Sequence, residues 1–114
     1  MDMTFKEAVN LAKEIIKRFE KIENRPWGVE GAMLELTKQV GELAKIVMSY
    51  EKYYFQNRDK LDSQYSTNKE KIADELADIL YMVIRIAKHY DIDLLEAHVK
   101  ARKEEDGFLK SKGV

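Results

Sequence analysis

The chain predicts an all-α fold: a four-helix bundle-like domain that dimerises through its helices. Three observations carry that reading. Apolar residues recur at three- and four-residue spacing over long stretches, the signature of an amphipathic helix. One proline and five glycines in 114 residues leave little punctuation. Three Thr/Asp-x-x-Glu sequences mark helix starts at well-separated places.

The first helix is expected over residues 5–22. Thr4 and Glu7 form its capping box, and Ala8, Leu11, Ala12, Ile15, Ile16 and Phe19 its apolar stripe. Asn24-Arg25-Pro26 stops it, because proline excludes helix at the residue before it. The second helix is expected over 29–55, on the repeat of Met33, Leu36, Val40, Leu43, Val47 and Tyr54. Residues 57–66 are polar, lack a period and read as a loop. Thr67 and Glu70 open a third helix, over 68–90, and Asp93 and Glu96 a fourth, over 94–106. Gly107 is the expected stop, with 108–114 as a frayed tail.

The third helix sets the architecture. Ile72, Leu76, Ile79, Leu80, Val83 and Ala87 form one face. Met82 and Ile86 widen it on one side, and Ala73, Ala77, Tyr81 and Ile84 on the other. The polar strip of Asp74, Asp78, Arg85, Lys88 and His89 is narrow. A helix this apolar is buried on more than one side, and one small chain supplies too few helices to cover it. A homodimer or a dimer of dimers is the expected assembly.

Composition excludes several classes. The length fits one domain with a modest core. Without cysteine there are neither disulfides nor thiolate metal sites, and a reducing compartment is compatible. No apolar run is long enough to span a membrane, and Lys6, Glu7, Lys13 and Glu14 interrupt any signal-peptide core, so a cytoplasmic location is expected. Net charge is −1 with both signs interspersed, which argues against a nucleic-acid footprint. No glycine-rich phosphate loop, Ser/His/Asp set or cysteine nucleophile is present.

The chemistry concentrates in Glu75-Leu76-Ala77-Asp78. Carboxylates at i and i+3 point the same way from a helix. Met82 and Ile86 lie further along that side, and a carboxylate among apolar side chains needs a compensating charge. Two parallel carboxylates suit a divalent cation. Glu35, Gln39 and Glu42 line the matching edge of the second helix. If the edges face each other, all five side chains converge. An oxygen-only donor set selects Mg²⁺ or Mn²⁺ over Zn²⁺. The plain alternative is a pair of solvated carboxylates bridged to lysines such as Lys71. His89 and His98 lack ligand spacing, which disfavours a di-iron bundle.

Three segments in order carry a resemblance: Gln39-Val40-Gly41-Glu42-Leu43, Ala73-Asp74-Glu75-Leu76-Ala77-Asp78-Ile79-Leu80, and Tyr90-Asp91-Ile92-Asp93-Leu94-Leu95-Glu96-Ala97. Together they resemble the MazG-like all-α nucleoside triphosphate pyrophosphohydrolases over roughly residues 30 to 105, and the ordered triple is far more specific than any one piece. The resemblance implies a Mg²⁺-dependent enzyme that cleaves a nucleoside triphosphate to the monophosphate and pyrophosphate, in a house-cleaning role. It implies Glu42, Glu75 and Asp78 as metal-binding and catalytic residues, with Glu35 and Gln39 as candidates for the remaining ligand position. The family's E-E-x-x-E on the second helix carries Lys38 and Gln39 in its first two places here. The aromatic four residues after the second acidic position is Met82, with Tyr81 shifted by one. The family's K-x-x-x-N on the fourth helix falls on Ala101 and Glu105, with Lys100, Arg102 and Lys103 around it. These three cations are the candidate phosphate contacts, and Trp27 the candidate base-stacking residue. Their plain alternatives are a solvated helix end and simple packing. The competing functional reading is a catalytically degenerate helical dimer with a structural, regulatory or nucleotide-binding role.

Overall fold

A computed structural model describes residues 2–114. Its regular structure is all helical: α1 (Phe5–Glu20), α2 (Gly28–Tyr50), a short α3 (Arg58–Leu61), a 3₁₀ turn (Ser63–Tyr65), α4 (Lys69–His89) and α5 (Leu94–Ser111), with no strand among the described residues. None of these helices is long and apolar enough to cross a membrane. Two compact units are present: Met1–Pro26 with Ile84–Val114, and Trp27–Val83.

In the first unit, Thr4 opens α1 as expected. Its hydroxyl accepts from the Glu7 amide at 3.1 Å, and the Glu7 carboxylate accepts from the Thr4 amide. Ala12 and Ile16 are the buried positions of the stripe, while Leu11 and Phe19 are exposed. α1 ends at Glu20 rather than residue 22, and the 18–23 segment closes in tight backbone bonds such as Ile22 N–H to Phe19 C=O. There Arg85 of α4 donates from one nitrogen to both oxygens of Glu23, each at 3.0 Å. Both side chains are nearly buried, about a tenth exposed. Lys88 adds a looser pair to Glu20 at 3.8 Å.

α5 departs from expectation. Asp93 caps it by accepting from the Glu96 amide, but the helix runs through Gly107 to Ser111. The expected frayed tail is thus helical up to Ser111. The stop is Gly113, at φ +78, where Gly113 and Val114 donate to the carbonyls of Lys110 and Leu109. Gly107 is ordinary helix, with open space where a Cβ would stand.

In the second unit, α2 starts at Gly28, whose φ of +62 suits a residue without Cβ. Gly31, one turn on, lies so close to Trp27 that an added Cβ would come 2.9 Å from the Trp27 Cβ. Trp27 therefore packs over the first turn of α2. The helix ends at Tyr50, five residues before the expected 55. Lys52 adopts φ +60, its amide bonds the Ser49 carbonyl, and the Tyr53 amide bonds the Met48 carbonyl. That left-handed cap reverses the chain although no glycine signals it. Residues 57–66, expected as a loop, contain α3 and the 3₁₀ turn, packed on each other.

The start of α4 is also rearranged. Asn68, not Thr67, is the cap: its side chain accepts from the Lys71 amide at 2.8 Å. Thr67 instead donates to the Ile46 carbonyl at 3.2 Å, tying the entry of α4 to α2.

Candidate functional site

The acidic candidates lie within the second unit. Glu35, Gln39 and Glu42 project from α2 at one-turn spacing, and Glu75 and Asp78 from α4. Glu75 and Glu35 are half-buried, whereas Glu42 and Asp78 are exposed.

Glu75 carries the electrostatic signature. Its carboxyl is pushed above the ordinary glutamate range, first by partial burial, then by the charges of Asp78 and Glu42, and finally by Asp74. Lys38 offsets part of this. Glu42 and Asp78 thus lie near enough to repel Glu75, across α2 and α4 and along one helix respectively. No hydrogen bond or ion pair holds the Glu75 or Asp78 carboxylate among the described residues, and Lys71, the expected alternative partner, is spent on Ser66 at 2.7 Å. The plain reading of a lysine-bridged pair therefore lacks its bridge.

The α2 side is more occupied. Lys38 pairs with Glu35 at 3.2 Å and Lys45 with Glu42 at 3.8 Å. Gln39 donates through Nε2 to Glu35 at 3.3 Å. A carboxylate only accepts, so this bond fixes which end of the amide is nitrogen. The Gln39 Oε1 atom is then buried and has no hydrogen-bond partner. An orphaned carbonyl oxygen is a donor of the type a hard cation takes. Among the described residues, no three His, Asp or Glu side chains are gathered closely enough to hold a metal ion. The donors fit Mg²⁺ or Mn²⁺ in kind, and the side chains do not form a closed cage.

The candidate substrate contacts divide between the two units. Lys100, Arg102 and Lys103 are exposed on α5, in the first unit. Arg102 is engaged along its own helix by Glu105 and His98. Trp27 is half-buried and packs against Gly31, in the second unit.

A cluster not anticipated from the sequence surrounds Arg58. Its guanidinium lies 3.5 Å from the centre of the Tyr65 ring, 4.7 Å from Tyr54 and 5.4 Å from Phe55, and donates to the Tyr65 hydroxyl. Tyr54 and Tyr65 meet edge to face at 4.9 Å. The only signal in the sequence was the aromatic richness of 50–65, which has no period to place it.

No family model, curated protein or solved structure matches the chain. The likeness to the pyrophosphohydrolases thus rests on the three motif segments.

Proposed function

We propose that the chain is a Mg²⁺-dependent nucleotide pyrophosphohydrolase, cleaving a nucleoside triphosphate to monophosphate and pyrophosphate at the acidic edge of α2 and α4. One observation carries the reading furthest: Glu75 sits at a raised pKa beside Asp78 and Glu42, without a cationic partner in contact. Carboxyls perturbed in this way concentrate at functional sites. The motif resemblance supplies the reaction. Glu75, Asp78 and Glu42 would hold the cation, with the neutral Gln39 Oε1 as a further oxygen. When bound, Mg²⁺ neutralises phosphate charge and polarises a water for attack on phosphorus. Binding would require the exposed Glu42 and Asp78 to turn towards the cation, and Glu42 to leave Lys45.

The test is a panel of canonical and damaged nucleoside triphosphates with Mg²⁺ or Mn²⁺, scored for pyrophosphate and for free phosphate. The expected result is pyrophosphate release that Asp78→Asn removes without unfolding the chain. Failure of every substrate, or free phosphate alone, contradicts the reading.

A second reading is a non-catalytic helical dimer, and specific observations favour it. Lys38 and Lys45 already pair with Glu35 and Glu42. Met33, Leu34 and Val40 on α2 and Leu76 and Leu80 on α4 are exposed, Leu34 to 74%. Self-association is the partner state we propose under either reading. Gln39→Glu separates them. In an enzyme it restores a ligand charge and raises turnover; in a degenerate dimer no turnover appears.

A further inference from the structure

We propose that the open cavity bordered by the end of α2, α3 and the 3₁₀ turn binds a small organic phosphate that carries a flat ring. The cavity has a volume of about 640 Å³, within the range of small-molecule sites. Lys52, Arg58 and Lys60 line it, against the single carboxylate of Asp59. None of the three cations makes an ion pair among the described residues. The excess of two positive charges matches a phosphate monoester, which carries between one and two negative charges near neutral pH.

Arg58 is the centre of the argument. It is half-buried, and aromatic faces and one hydroxyl hold it, rather than a carboxylate. A guanidinium so fixed keeps most of its five donors for a ligand and loses little freedom on binding. Its cationic charge is uncompensated in a partly desolvated place, which favours an incoming anion. Ser49 borders the same cavity, and its hydroxyl oxygen is buried with no hydrogen-bond partner. A ligand oxygen that displaces the side chains covering it would satisfy it.

The ring requirement follows from the other wall. Tyr54 and Tyr65 are occupied by Arg58 and by each other, whereas Tyr50 borders the cavity and is 41% exposed, and Phe55, which Arg58 approaches only at 5.4 Å, is 62% exposed. Such faces stack a planar ring without selecting its sequence of polar groups. A phosphate near Arg58 with a ring against Tyr50 or Phe55 uses both features. A mononucleotide is the simplest molecule with this chemistry.

This site does not depend on the pyrophosphohydrolase reading, and the test keeps the two apart. The probe is 5′-AMP, titrated calorimetrically into the full chain in EDTA, with adenosine and inorganic phosphate as separate arms. AMP should bind, and each half alone should bind at least about tenfold more weakly, as expected from losing one charge-assisted contact or one stack. Arg58→Lys should weaken AMP binding by about tenfold, because it keeps charge and loses the fork. Lys60→Ala, which leaves the aromatic cluster whole, should weaken it less and flatten its salt dependence. Backbone amide shifts should move at Ser49, Tyr50 and Arg58. Glu75→Gln should leave AMP affinity unchanged, even where it removes pyrophosphate release. No saturation by AMP at millimolar concentration overturns the proposal. So does binding unaffected by both Arg58→Lys and Lys60→Ala, or binding equally strong for adenosine.

Discussion

Glu75 shows how the acidic edge affects the free chain. Its carboxyl is easier to protonate when folded than when unfolded, because burial and then Asp78 and Glu42 disfavour the charge. The folded state therefore binds the extra proton. Ionised Glu75 lowers stability above its raised pKa, and that loss vanishes as pH falls below the ordinary glutamate value of 4.5. Glu75→Gln should accordingly raise the melting temperature near neutral pH, with the gain shrinking to nothing in acid. A melting series across pH by circular dichroism reads this, and a destabilised Gln variant at neutral pH contradicts it. Glu23 acts instead through a contact that stabilises the fold. Its pairing with Arg85 is nearly buried and doubly bonded, so Glu23→Ala removes both carboxylate contacts of that guanidinium. That change should cost about 2 kcal/mol, measured by urea denaturation. Glu75 stood out in the sequence through Asp78, one turn on, whereas nothing marked Glu23, since its partner stands 62 positions away.

At the scale of the elements, helix starts were legible and helix ends were not. Thr4 and Asp93 cap as their sequences predict, because a cap is a local contact three residues long. Thr67 was displaced by Asn68, a neighbour equally able to cap, which freed Thr67 to bond across to α2. The ends depend on left-handed residues. Lys52 and Asp91 take φ +60 and +53 and close α2 and α4 with backbone bonds, and neither is a glycine. Periodicity carried α2 on to Tyr54 because nothing in the sequence marks Lys52 as a break. Gly107 misled in the other direction. Since it lies inside α5 with open space at its Cβ position, Gly107→Ala should stabilise the chain by about 0.5–1 kcal/mol. Thermal or urea unfolding measures the gain. A loss of stability would mean that Gly107 takes a left-handed cap conformation after all.

For the whole molecule, the all-helical class was legible from period and punctuation, whereas the division into two units was not. The motif segments also reported sequence order only. Glu42, Glu75 and Asp78 fall in one unit, and the cations of α5 in the other. The apolar positions left exposed on α2 and α4 bear on assembly. A second copy covering them should bury more than roughly 1,000 Å². Light scattering at micromolar concentration should then give twice or four times the mass of 13.4 kDa, and a monomeric mass rules the assembly out. The cation site is tested most directly by Mn²⁺ itself. Paramagnetic titration of the full chain, without nucleotide, should show weak binding that Glu75→Gln abolishes and Gln39→Glu strengthens. Equal Mn²⁺ binding by the native chain and both variants would place the metal elsewhere and contradict the assignment of this edge.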